Sequence, residues 1–448
     1  MRKWIALPIT FALTATMLAG CSQSNEEAAD DTSSAVSGAV ATEGTETTAG
    51  TTIRVLTHMD TSFNGVKEAF EEATGINLEI DVCSYDELND QYEVLLSSKS
   101  DEYDVICPDG PNVAAYVSRG YIEPLSDYFT DDEINAFSDA LVAQGTVDGT
   151  FYAAPLGDSC TILYYNKDLF EEAGVEWDFD QYDGVNSRIT WEKAIELATE
   201  VTSKIDPDGS KGVTPIEFGQ ASQVYMMNVL PDSLGGKNIS DDGLSVDGVL
   251  NSEAWTEALT WYQDNVNAGV FSRGISGMDG YNNFYAGKSV FILMTTDSYN
   301  YAISGGMTTD NLGYTYQPCF EGHEDQVATA CGNWTCAVNA NSKNKAAAAE
   351  FVKWITYGEG NDLFLTFESM VPNMSSRYTD ELIEKVPTLE LARAESGVTS
   401  VVRAVTPGFN EYSNAVGAMW EDIRNGADIE STVANTISDV DSALSYYK

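Results

Sequence analysis

At 448 residues, the chain is long enough for two or three domain-sized cores, and its hydrophobic fraction of 43% is that of an ordinary globular protein. Acidic residues outnumber basic ones 70 to 23, a net charge of −47. Such a surface repels phosphate backbones, which excludes nucleic acid as a partner. A cation site would need those acids clustered, not merely abundant.

The first 21 residues read as a targeting segment. Arg2 and Lys3 form a positive start, an apolar run covers residues 4–17, and Leu18-Ala19-Gly20-Cys21 follows. Small residues before a cysteine resemble the bacterial lipoprotein signal, in which Cys21 is diacylated and becomes the mature N-terminus. An ordinary secretory signal or a short membrane span is the alternative. Two acyl chains suffice for stable anchoring, and no later run reaches the ~18 apolar residues needed to span a bilayer. Residues 22–50 contain Ser, Thr, Ala, Gly and acids, with no Lys, Arg or aromatic residue. They cannot build a core and are expected to be a disordered linker, with an r.m.s. span of roughly 30 Å.

The folded part is expected from Thr51. Residues 53–56 read as a strand, followed by a polar loop over 58–63. Val66, Ala69, Phe70 and Ala73 share a helical face that Gly75 ends. Leu78, Ile80 and Val82 alternate in a second strand. A helix over 85–97, a strand over 103–107 and a helix over 113–118 complete a β-α-β-α-β-α pattern, that of a parallel sheet covered by helices. Ligands of such sheets sit at the carboxyl ends of strands, here residues 58–63 and 108–111.

Residues 149–174 then supply a tight turn, a polar loop at 155–159, an apolar strand at 161–165 and a short helix. Thr190 caps a helix with Ala194, Leu197, Ala198 and Val201 on one face. Residues 206–210 resemble part of a calcium loop, but the remaining acids are missing and a turn is expected. A helix spans 252–265, with Trp255, Ala258, Leu259 and Tyr262 inward. A buried strand over 290–294 runs into a polar, aromatic loop over 295–301. Residues 331–338 read as a strand. An Ala-rich helix follows Ser342, and residues 428–444 form a last amphipathic helix. Beyond Cys21 six cysteines remain, Cys83, Cys107, Cys160, Cys319, Cys331 and Cys336, with no CxxC and only two histidines in the chain. Zinc spacing is absent. A bridge among Cys319, Cys331 and Cys336 and buried free thiols both remain open.

Several phrases, taken in order, resemble the family 1 extracellular solute-binding proteins, the sugar receptors of bacterial ABC importers that include maltose-binding protein. They are LAGC at 18–21, FEEATGINLEI at 70–80, YDVICPDG at 103–110, GYIEPLSDYF at 120–129, FYAAPLGDSCTILYYNKDLFEEAG at 151–174, TWEKAIELA at 190–198, FYAGKSVFILM at 284–294 and SKNKAAAAEFVKWI at 342–355. The resemblance implies an α/β, two-lobed periplasmic-binding-protein-like fold of the class II type. Its hinge would be crossed three times, near 161–164, 332–337 and 373–380. Lobe 1 would comprise residues 51–162 and 337–376, and lobe 2 residues 163–336 and 377–448. The implied protein is a lipid-anchored, monomeric, extracytoplasmic receptor. It would bind a carbohydrate, an oligosaccharide by preference, and deliver it to permease subunits driven by a cytoplasmic ATPase. No cofactor, metal or catalysis is implied. A same-fold receptor for a polyamine or other cation is the alternative. A glycoside hydrolase would need a carboxyl pair, and none is recognisable.

A sugar offers hydroxyls on its rim and apolar C–H faces, so its receptor needs carboxylates, amides and rings. Asp60 and Phe63 lie in the first β-α loop. Asp109 ends the third strand and matches a family position that binds hydroxyls, although it equally suits a turn capping the next helix. Asp158 and Ser159 align with a family acidic site; losing Asp158 is expected to weaken binding and spare stability. Gln220 lies where relatives place an aromatic. Asp297 and Tyr299 follow the apolar strand, with Tyr299 taken for an absent family Trp. Asn333 and Trp334 lie at the second crossing, where Trp334 either stacks on sugar or packs the hinge. Tyr412 corresponds to an aromatic lining the cleft in relatives. His58 is a further candidate.

Overall fold

The computed structural model describes residues 48–448, except 60–62, 64, 276–277 and 368–369. Cys21, the linker up to residue 47 and Asp60 therefore lie outside the described residues. The fold is α/β and two-lobed. The first lobe is built on a sheet ordered Asn77–Val82, Thr52–Thr57, Val105–Ile106, Trp334–Val338, Ala154–Gly157. Its first three strands are parallel; Trp334–Val338 runs antiparallel to both of its neighbours. The apolar stripe of the helix Val66–Thr74 explains its packing: Val66 and Phe70 are buried, and Phe70 meets the Phe351 ring edge-on at 5.0 Å. Phe351 belongs to the Ala-rich helix Lys345–Thr356.

The second lobe carries a sheet ordered Leu312–Thr315, Thr161–Asn166, Ser289–Thr295, Thr214–Phe218. Every residue of Thr161–Asn166 and of Ser289–Thr295 is buried. Helices on both faces account for the continuous apolar runs, which do not alternate as a one-sided sheet would. Trp191, Ala194, Ala198 and Val201 of the helix Trp191–Ile205 pack into this core.

The chain passes between the lobes three times. The first passage links Ala154–Gly157 to Thr161–Asn166, and the second links Thr329–Ala330 to Trp334–Val338. The third lies between Asn373 and Thr388. The Asn373 amide donates to Pro155 O at 2.7 Å and Thr356 O at 2.8 Å in the first lobe. The Thr388 hydroxyl donates to Thr296 O at 3.0 Å in the second. Beyond it, Glu395 and Arg188 form a buried bidentate pair with both contacts at 2.6 Å.

One local expectation changes, one holds, and one open alternative closes. The strand expected over 331–338 begins at Trp334, because Cys331 and Gly332 form the passage itself: Cys331 N donates to Val401 O and Gly332 N to the Asp158 carboxylate. Residues 206–210 are a turn closed on the Asp206 carboxylate, which accepts from the N–H groups of Lys211 and Val213. The six described cysteines are free thiols. The sulfurs of Cys107 and Cys336, on neighbouring strands, lie 3.4 Å apart; Cys319, Cys331 and Cys336 do not pair.

Candidate functional site

Where the lobes face each other lies a cavity of about 410 Å³. The first lobe contributes His58, Met59, Asn89, Asp109, Asn112 and Trp334; the second contributes Ser159, Gln220, Gln223, Tyr225, Thr295, Asp297 and Tyr301. Arg403 and the first two turns of the helix Phe409–Arg424, with Phe409, Asn410, Ser413 and Asn414, close it.

Strand ends place these side chains. Asp109 follows the strand Val105–Ile106 and precedes the short 3-10 turn Gly110–Asn112. Gly110 packs closely there: its N–H donates to Asn333 O at 2.7 Å, and a Cβ would fall 2.2 Å from the Gln144 side-chain oxygen, which would have to move. Asp297 follows the strand Ser289–Thr295 in the same way. Gly332, on the second passage, lets the Ser159 and Tyr225 hydroxyls press on the backbone, since a Cβ would lie 2.0 Å from Ser159 Oγ.

Asp109 and Arg403 join the two walls. Arg403 Nη1 donates to Asp109 Oδ2 at 2.8 Å, and Nη2 donates to Oδ1. The guanidinium also sits 5.3 Å from the Tyr225 ring centre. The Tyr225 and Ser159 hydroxyls are 2.5 Å apart. The His58 and Trp334 rings lie 4.1 Å apart at 46°. Burial pushes the His58 imidazole down to about 4, against the pull of Asp109, so it is neutral at neutral pH. Burial pushes the Asp297 carboxyl up. The result is a wall of amides, hydroxyls and carboxylates interleaved with aromatic faces, suited to a polyhydroxylated ligand.

Among the residues expected from sequence, His58, Asp109, Ser159, Gln220, Asp297 and Trp334 line this cavity. The others described are not among its lining. Phe63 is buried edge-on against Phe364 at 5.7 Å. Tyr299 is buried against Tyr314, and Asn333 is fully buried with its amide toward Leu141 O. Tyr412 is 1% exposed and its hydroxyl accepts from Asn228 at 2.9 Å. Asp158 is 7% exposed, and its Oδ1 accepts from Ser159 N at 2.8 Å and Gly332 N at 2.9 Å. Burial raises its pKa to about 6. Sequence reasoning missed Arg403, Tyr225, Gln223, Asn410 and Asn414. A lone cation between Val401-Val402 and Ala404-Val405 was the available signal for Arg403.

Among the described residues, no group of three or more His, Cys, Asp or Glu is placed to hold a metal ion, and no helix is long and apolar enough to cross a membrane.

The family model described as bacterial extracellular solute-binding protein matches residues 57–360. A putative binding protein of Brucella abortus is 27% identical over 212 residues, 42% of this chain and 49% of that protein; the chain thus spans about half the length of such curated relatives. The mannitol-binding protein of Pseudomonas aeruginosa is 23% identical over 304 residues, covering 65% of each chain. The galactooligosaccharide-binding protein of Bacillus subtilis is 25% identical, over 65% of this chain and 64% of that one. Among solved structures, the GacH receptor of Streptomyces glaucescens superimposes with a TM-score of 0.74 at 20% identity, over 89% of this chain and 99% of that one. An ABC substrate-binding protein from Listeria monocytogenes in complex with cycloalternan gives 0.75 at 17% identity, over 88% and 99%.

Proposed function

Because the chain belongs to the bacterial extracellular solute-binding protein family, we propose that it is a carbohydrate receptor of an ABC importer, with an oligosaccharide bound in the interlobe cavity. The observation that carries this is the cavity wall itself, in which both lobes present hydrogen-bonding side chains beside aromatic faces. Its volume falls in the ~300–1,000 Å³ range of small-ligand sites. A second hollow of about 800 Å³ lies on the other side of Arg403. The family consists of binding proteins, and the ligand is released unchanged. Relatives named for mannitol and galactooligosaccharide support the ligand class.

On this reading Asp109, Ser159, Gln220, Asp297 and Trp334 contact the ligand, joined by Tyr225, Arg403 and Asn410. Contacts from both walls favour the closed arrangement by population shift. The lobes divide close to 51–162 with 337–376 and 163–336 with 377–448, the strands Thr161–Asn166 and Trp334–Val338 each reaching a few residues across those bounds. Cys21 carries the lipid that holds a monomer on the extracytoplasmic face, within reach of its permease and the associated ATPase. A handful of hydrogen bonds and one stacked ring reach micromolar affinity, about 8 kcal/mol. Thermal-shift screening against mono-, oligosaccharides and polyols tests the reading, since a bound ligand raises Tm by mass action. A Tm unmoved by every sugar, with a shift from spermidine, would overturn it.

A further inference from the structure

The charges on the cavity wall do not balance. Its cationic member is Arg403, and both oxygens of Asp109 already hold it. The imidazole of His58 is neutral. That leaves Asp297. Among the described residues no lysine, arginine or histidine pairs with it, and its Oδ1 is sealed from solvent with no hydrogen-bond partner. The Thr295 side chain and the N–H groups of Asp297 and Ser298 favour its ionised form but do not outweigh burial. Tyr164, Tyr225 and Tyr281 stand close enough for the carboxylate to disfavour their ionisation. A half-buried carboxylate with one oxygen sealed and phenols nearby lacks the counter-charge that ordinarily offsets its desolvation.

We propose that Asp297 receives a protonated amine of the ligand, so that the carbohydrate taken is an amino sugar and not a wholly hydroxylated one. This rests on the carbohydrate reading above. A hydroxyl would give Asp297 one hydrogen bond from an uncharged donor and leave the cavity negative. An ammonium supplies the missing charge with up to three donors, and the rings of Tyr225 and Tyr301 from the same lobe and of Trp334 from the facing one line the cavity, where aromatic rings favour a cation. The net charge of −47 draws such ligands toward the protein.

Calorimetric titration of the full chain with matched pairs tests this: glucosamine with glucose, galactosamine with galactose, and the deacetylated chitosan disaccharide with cellobiose, each beside its N-acetylated form. At least one amine should bind about tenfold or more tighter than its hydroxyl and N-acetyl counterparts, with an affinity that falls as salt is added. Asp297→Asn should abolish the preference, lowering the affinity for the amine at least about tenfold more than that for the hydroxyl partner. If that variant does not fold, the salt dependence of the unmodified chain decides. Equal or tighter binding of the hydroxyl or acetylated members overturns the inference and leaves the carbohydrate reading intact. Spermidine binding with none for any saccharide overturns both.

Discussion

Asp158 ties the three passages of the hinge together, and replacing it with Ala should loosen the hinge more than it strips the ligand. Its backbone pairs with Val371, two residues before the third passage, N to O in both directions at 2.8 Å. Its Oδ1 accepts from Ser159 N on the first passage and Gly332 N on the second. Removing the carboxyl leaves two N–H groups without that acceptor, at a cost of about 2–5 kcal/mol. The cost depends on pH. Burial raises the folded pKa from 3.8 to about 6, so the folded state binds the proton more tightly than the unfolded one. The stabilisation is therefore complete below the unfolded pKa and is lost as pH rises through about 6. A shift of that size amounts to about 3 kcal/mol. Urea unfolding of the native chain and Asp158→Ala, compared pH by pH, cancels the other carboxylates. The gap should be widest near pH 4 and shrink by up to about 3 kcal/mol by pH 8. Asp158→Asn, a neutral acceptor, should match or exceed the native chain at pH 7. A stability change within about 0.5 kcal/mol at acid pH, together with lost ligand affinity, would refute this and make Asp158 a ligand contact.

Three further outcomes follow from the geometry. Asp109→Ala and Arg403→Ala each leave a partly buried charge without its partner, so the two losses should exceed that of the double variant by about 1–3 kcal/mol in a double-mutant cycle; the unliganded radius of gyration by small-angle scattering should rise in each. Glu395→Ala strands the Arg188 guanidinium, whose side chain is 2% exposed, and should cost about 3–5 kcal/mol in chemical unfolding, with replacement of both residues by apolar ones recovering most of it. Trp334→Ala should lose at least about 1.5 kcal/mol of ligand binding by calorimetry and remove the ligand-induced change in intrinsic fluorescence; unchanged affinity with a large loss of stability would make Trp334 hinge packing.

Local patterns carried much of the fold. The helix Tyr85–Ser97 has the bounds its apolar spacing implies, and Thr190 caps the next lobe's first long helix by accepting from Lys193 N. Asp109 and Asp297 were legible for one physical reason: each follows an apolar strand, and strand ends in α/β sheets open onto the ligand side. Tyr412 lies outside the cavity lining because its spacing turns it inward. Tyr412, Val416, Met419 and Ile423 share the inward stripe of the helix Phe409–Arg424 and are all buried, and that period could have been read. Phe63 and Tyr299 sit beside strand ends yet turn inward, a choice made by neighbours far along the chain, Phe364 and Tyr314.

What the sequence determined by itself is the alternation of strands and helices, their caps and stops, and the acidity of the surface, because each depends on residues within a few positions of one another. The tertiary structure decided the pairings across distance. Arg403 meets Asp109 from 294 positions away, the Asp158 carboxylate reaches Gly332 across 174, and Glu395 holds Arg188 across 207. Periodicity reports which face of an element is apolar. It is silent on which charge a distant passage of the chain will bring to that face, and that is where the cavity acquired Arg403 and left Asp297 without a cation.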